Sequence, residues 1–148
     1  AWDALDDHPL GWAGFEPLPG AVKAVEQFKA DGFEVIIVTG IEDRLSEKRL
    51  ANFLLHNLPV DGLECVGHGT ASKAENLTRL APLMYVEDRL HLLYECPFVP
   101  HRGWVDQQDE QAGHEWNDSV TRVSGLAEWA DHWKARFSAV SNPKRMFR

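Results

Sequence analysis

Val35-Ile36-Ile37-Val38-Thr39-Gly40 begins with four β-branched apolar residues and ends on a hydroxyl and a glycine. β-Branched side chains lose rotamer freedom in helices and fit a pleated strand. The run is apolar at every position rather than at alternate ones. That predicts a strand covered on both faces, as in a parallel sheet flanked by helices. The strand is expected to span Phe33 to Val38, with Thr39 and Gly40 at its carboxyl end.

Working outward, the flanking segments switch to a helical period. Pro17 and Pro19 punctuate the start of a helix over 20–31, with Val22, Val25 and Phe28 on one face. Asp31-Gly32 stops it. A second helix is predicted over 46–57, capped by Ser46, with Leu50, Phe53 and Leu54 inward. Leu63 to Val66 reads as a short strand. Ser72-Lys73-Ala74-Glu75 has the form of a capping box, which predicts a helix from there to Leu80. Leu83 to Val86 reads as another buried strand, and Leu90 to Tyr94 as one or two helical turns. Phe98–Val99 and Trp104–Val105 are weaker strand candidates, 106–118 a polar loop, and Thr121 to Val123 a last extended segment. From Leu126 to Phe137, Trp129, Trp133 and Phe137 recur every four residues, which predicts an amphipathic helix on its own core. Strands alternating with helices define an α/β chain with a central, mostly parallel sheet between helical layers.

Length and composition agree. The 148 residues suit one domain with a full core, and 44% are hydrophobic. Residues 1–18 have no clean period and read as irregular. Residues 141–148 form a basic tail of charge +3, against −8 for the whole chain. That balance argues against a general nucleic-acid surface, because phosphate backbones are bound by Lys and Arg. No apolar run approaches the ~18 residues of a membrane span, and no signal peptide is visible. Cys65 and Cys96 lack metal-ligand spacing. They read as buried, reduced thiols, which suits the cytoplasm or the mitochondrial matrix rather than secretion.

In an open parallel sheet, ligands gather outside the carboxyl ends of the strands. Thr39 and Gly40 end one strand there, Glu87-Asp88 end another, and Lys73 opens the helix between them. A hydroxyl and an ammonium suit a phosphate, and a carboxylate suits Mg²⁺. Together these groups make up the charge-stabilising half of a phosphoryl-transfer site.

Residues 17–94 resemble the haloacid-dehalogenase superfamily. The carrying residues are Pro17-Leu18-Pro19-Gly20-Ala21-Val22, Val35 to Gly40, Lys48, Ser72-Lys73 and Glu87-Asp88-Arg89. Within the superfamily they look like the 5'(3')-deoxyribonucleotidase branch. Trp104-Val105-Asp106-Gln107 and Arg122 to Trp129 resemble its closing segments, and Asp7-His8-Pro9-Leu10-Gly11-Trp12 resembles the stretch just after its nucleophile loop. The resemblance implies a three-layer Rossmann-like fold. It also implies Thr39 and Gly40 on a phosphate, Lys73 neutralising phosphate and nucleophile charge, and Asp88 with Glu87 on Mg²⁺.

The family pattern requires a hydrophobic first strand ending in two aspartates separated by one residue, a nucleophile and a general acid. Only Ala1 and Trp2 precede Asp3, and Asp6 and Asp7 are adjacent rather than alternating. Asp3 is therefore a weak nucleophile candidate. Three arrangements remain open: residues upstream of Ala1, a strand supplied by another chain, or a decayed motif. The first expectation is a degenerate, inactive phosphatase-like domain serving as a structural or binding subunit, with a protein partner completing the sheet. The alternative is a Mg²⁺-dependent phosphatase of nucleoside monophosphates or similar phosphoesters, with its nucleophile upstream of Ala1.

Overall fold

The computed structural model describes residues 11–69, 71–106 and 115–137. Asp3, most of the 106–118 loop and the basic tail lie outside them. The predicted elements form in order: α1 (Ala21–Ala30), β1 (Ile36–Thr39), α2 (Ser46–Leu55), β2 (Gly62–Cys65), α3 (Ala74–Leu80), β3 (Met84–Glu87), α4 (Leu90–Tyr94), β4 (His101–Val105), β5 (Thr121–Val123) and α5 (Leu126–Phe137).

Every strand pair is parallel, so the chain is α/β as expected. The strands divide into two sheets. β1 pairs with β2, Ile36 opposite Gly62 and Thr39 opposite Cys65. β3 pairs with β4, which pairs with β5. β1 and β3 do not pair with each other.

Helices cover both faces of the larger sheet. On one face Leu77, Leu90 and Leu93 pack with Tyr85, Trp104 and Val120. On the other, Ala24 and Phe28 of α1 and Trp129, Ala130 and Trp133 of α5 pack with Val105 and Val123. Successive strand residues point to opposite faces, so Trp104 joins the first cluster and Val105 the second. Trp129 lies flat on Gly103, where an added Cβ would come within 2.8 Å of the indole.

The end of α1 shows how local sequence fixes an element. Gly32 takes φ +88°, and its N–H donates to the Lys29 carbonyl at 3.0 Å. The Phe33 N–H donates to the Phe28 carbonyl at 2.9 Å, and the two rings meet edge to face at 5.7 Å. This is the left-handed glycine stop with its hydrophobic contact.

Several expectations need correction. Ser46 does not cap α2. A 3₁₀ turn at Asp43–Leu45 runs straight into the helix, and the Ser46 N–H donates to the Asp43 carbonyl. Leu50 and Leu54 are 41% and 79% exposed rather than inward, because α2 turns Asn52 and Phe53 to the interior instead. There Asn52 donates to the Phe15 carbonyl at 2.7 Å. The Ser72 hydroxyl accepts the Ala74 N–H at 3.3 Å rather than the Glu75 N–H, and Lys73 takes the N-cap position of α3 without a side-chain cap, so the expected capping box does not form. Phe98–Val99 is a turn, since Pro97 and Pro100 on either side have no N–H for a ladder. The strand instead begins at His101. β1, predicted to be covered on both faces, is only half-buried at all four positions. Cys96 is buried, whereas Cys65 is partly exposed.

Candidate functional site

The carboxyl ends of β1 and β3 open onto one polar cavity of about 740 Å³. Thr39 and Gly40 reach it from β1, Glu87, Asp88 and Arg89 from β3, and Lys73 from the turn entering α3. The structure therefore brings together all the predicted site residues except Asp3, which lies outside the described residues.

Lys73 and Glu87 form the centre. Both are buried, and the Lys73 Nζ lies 2.5 Å from a Glu87 carboxylate oxygen. The Tyr85 hydroxyl donates to that same oxygen at 2.8 Å. The Asp88 backbone N–H donates to the other oxygen at 3.1 Å. Burial by itself would raise the Glu87 carboxyl. Hydrogen bonding with Asp88, the Lys73 charge and the Tyr85 hydroxyl outweigh it and hold the group at about 2. Asp88 moves the opposite way. Its hydrogen bond with Glu87, partial burial and the Glu87 charge lift it to about 6. Tyr85 is pushed above its usual range by burial and by Glu87. The two adjacent carboxylates thus shift in opposite directions, Glu87 down and Asp88 up.

Backbone shapes the rest of the wall. The Val66 N–H donates to the Thr39 carbonyl at 2.9 Å and the Gly67 N–H to the Ile41 carbonyl at 2.9 Å. These bonds tie the turn after β1 to the turn after β2. Gly40 lies so close to that second turn that an added Cβ would be 2.3 Å from Gly69 Cα and 2.7 Å from the His68 carbonyl. Real Cβ atoms do not approach backbone so closely, so the two turns must part if residue 40 has a side chain. Gly40→Ala is expected to lower stability by about 1–3 kcal/mol. It should weaken anion binding at the same time, measured by urea unfolding and phosphate titration of the same protein.

Sequence reading assigned no site role to the cations beyond Lys73. Arg44, Arg49 and Arg89 also line the cavity. Arg44 pairs with Glu42 at 2.5 Å. Arg89 donates to the Gly69 carbonyl at 2.7 Å. The Arg49 guanidinium lies over the Phe53 ring, and its buried Nε has no hydrogen-bond partner among the described residues. Arg49 and Phe53 stand four apart on α2, a spacing that places them on one face. Arg89 directly follows the predicted site acids in Glu87-Asp88-Arg89, whereas Arg44 had no such signal, since its loop placement depends on the fold.

The described residues contain no cluster of three or more His, Cys, Asp or Glu side chains able to hold a metal ion. Asp88 and Glu87 remain as a pair, with Glu87 engaged by Lys73. Mg²⁺ commonly uses one or two carboxylates plus waters and substrate phosphate. The raised proton affinity of Asp88 marks excess negative charge that a cation would relieve. Asp88, beside Glu87, is the residue that would hold such an ion.

No family profile, curated protein or solved structure matches the chain. No helix among the described residues is long and apolar enough to cross a membrane.

Proposed function

We propose that this chain is a haloacid-dehalogenase-like domain that binds the phosphate of a small phosphoester, such as a nucleoside monophosphate, as part of a larger assembly. One observation carries this reading: Thr39, Lys73 and Asp88, distant in sequence, face one cavity at the carboxyl ends of two parallel strands. Four cationic side chains, Arg44, Arg49, Lys73 and Arg89, line it against Glu42, Glu87 and Asp88. That balance suits an anion. Thr39 would donate to a phosphate oxygen, and Lys73 would offset its charge from behind Glu87. A bound Mg²⁺ on Asp88 would neutralise a further part of that charge. Glu42 and Glu87 are already engaged by Arg44 and Lys73, so binding rather than turnover is the first expectation.

Calorimetric titration with inorganic phosphate and Mg²⁺ tests it. Binding should weaken about 10- to 100-fold in Thr39→Val, the loss of one hydrogen bond to a charged group. Wild-type protein that binds no phosphate at any Mg²⁺ concentration would sink the proposal. Mg²⁺ affinity should also follow Asp88. Its carboxyl must lose a proton to hold a cation, so affinity should fall about tenfold per pH unit below about 6 and level off above it. A flat profile between pH 5 and 7 would remove Asp88 as the ligand.

The second reading is a Mg²⁺-dependent 5'-nucleotidase or related phosphatase whose nucleophile stands on a strand upstream of Ala1. What favours it is the gap between β1 and β3.

A further inference from the structure

The cations that line the polar cavity are not equally matched by acids. Lys73 lies 2.5 Å from Glu87, and Arg44 lies 2.5 Å from Glu42. Arg89 donates to the Gly69 carbonyl, and its charge acts on Asp88. Arg49 differs. No carboxylate among the described residues pairs with it, and its buried Nε has no hydrogen-bond partner there. Burial acts on the guanidinium without an opposing acid and lowers its proton affinity. A cation drawn out of water without a partner charge is costly. Such a charge at a cavity wall points to a counter-charge that arrives with a ligand.

Local structure holds Arg49 in place for that role. Its Nη1 donates to the Asn52 side-chain oxygen at 3.1 Å. Asn52 is buried and donates in turn to the Phe15 carbonyl at 2.7 Å. The guanidinium lies 4.9 Å from the centre of the Phe53 ring. Asn52 and Phe53 follow Arg49 at the spacing that brings side chains together on one helix face. A side chain positioned in advance loses less freedom when a ligand binds. Arginine also suits oxyanions in particular, because its donors form a planar fork that fits a carboxylate or phosphate bidentately.

The groups assigned to the phosphate come from other elements. Thr39 and Asp88 stand at strand ends and Lys73 at the entry to α3, whereas Arg49 comes from α2. A cavity of about 740 Å³ has the size that encloses a whole small organic ligand rather than one phosphate. We infer that Arg49 holds a second anionic group, a carboxylate or a further phosphate, on the ligand whose first phosphate meets Thr39 and Lys73. The cavity then selects small phosphoesters that carry such a group over those with a neutral tail. The inference rests on the phosphate-binding reading and narrows its ligand class.

The test compares 3-phosphoglycerate with glycerol 3-phosphate, which carry a carboxylate and a hydroxymethyl group at the same position. Calorimetric titration of the 148-residue chain at one fixed Mg²⁺ concentration measures both. Wild type should bind the carboxylate ligand about 10- to 100-fold more tightly. Arg49→Met should bring that ratio to about one, and Arg49→Lys should lower it severalfold, since lysine keeps the charge and loses the fork. Arg44→Met removes the same charge from the same cavity and should keep the ratio, because Arg44 already faces Glu42. Thr39→Val should weaken both ligands alike. Equal affinities in wild type overturn the inference and leave the phosphate-binding reading standing. A ratio that Arg44→Met lowers as much as Arg49→Met also overturns it, by assigning the preference to net charge. If Arg49→Met does not fold, Arg49→Lys decides, and a ratio no lower than that of wild type overturns the inference. A protein that binds neither ligand overturns the phosphate-binding reading as well.

Discussion

Lys73→Met is expected to lower stability by about 3–5 kcal/mol at neutral pH, the cost of leaving a buried charge without its partner. Lys73 and Glu87 are both more than nine-tenths buried, and the ammonium is 2.5 Å from the carboxylate. Methionine keeps the apolar stem and removes the charge. Glu87 would then face burial with Tyr85, Asp88 and backbone amides to hold its oxygens. The pH dependence gives a second signature. With its folded pKa held near 2, below the ordinary carboxylate value, Glu87 contributes stability above that value. The contribution is lost as pH falls toward 2. Without Lys73 the carboxyl prefers its proton, so acidification should narrow the gap between variant and wild type. Chemical unfolding at pH 7 and pH 4 measures this. The double variant Lys73→Met/Glu87→Gln should recover most of the loss, since the amide carries no charge and still accepts from Tyr85. A loss that is equal at both pH values, or no recovery, would show that Lys73 acts through packing alone.

Trp129→Ala is expected to cost a similar amount, about 3–5 kcal/mol, read as a lower urea midpoint with little change in slope. The indole is 1% exposed and covers Gly103 at the centre of the larger sheet. His132 stacks on it at 5.6 Å and Trp133 meets it edge-on at 5.6 Å. Its removal leaves a cavity that backbone at Gly103 cannot refill. Trp129→Phe should cost much less. The indole N–H has no acceptor among the described residues, so phenylalanine forfeits area but no hydrogen bond. If the two variants cost the same, the ring is not filling this space.

Trp129 and Met84–Val86 border an apolar cavity of about 340 Å³ between the two sheets as well as the core. The four residues of β1 are only half-buried although all but Thr39 are apolar. The exposed Leu54 and Leu55 of α2 do not line that cavity.

The sequence by itself determined most of the elements and their class. β-Branched runs at 35–38, the glycine stop at Gly32 and the four-residue tryptophan spacing each act through near neighbours. Local sterics and periodicity suffice to read them. The approach of Thr39, Lys73 and Asp88 was also legible, because parallel strands present their carboxyl ends on one side. Tertiary structure alone decided the rest. It gave Glu87 to Lys73 and Tyr85 and so separated the titrations of two adjacent carboxylates. It set Gly40 against the Gly69 backbone and brought Arg44 to the cavity. It also divided the strands into two sheets with an apolar cavity between them. Each of these depends on contacts between residues far apart in the chain, where no local pattern records the distance or the desolvation that sets the energy.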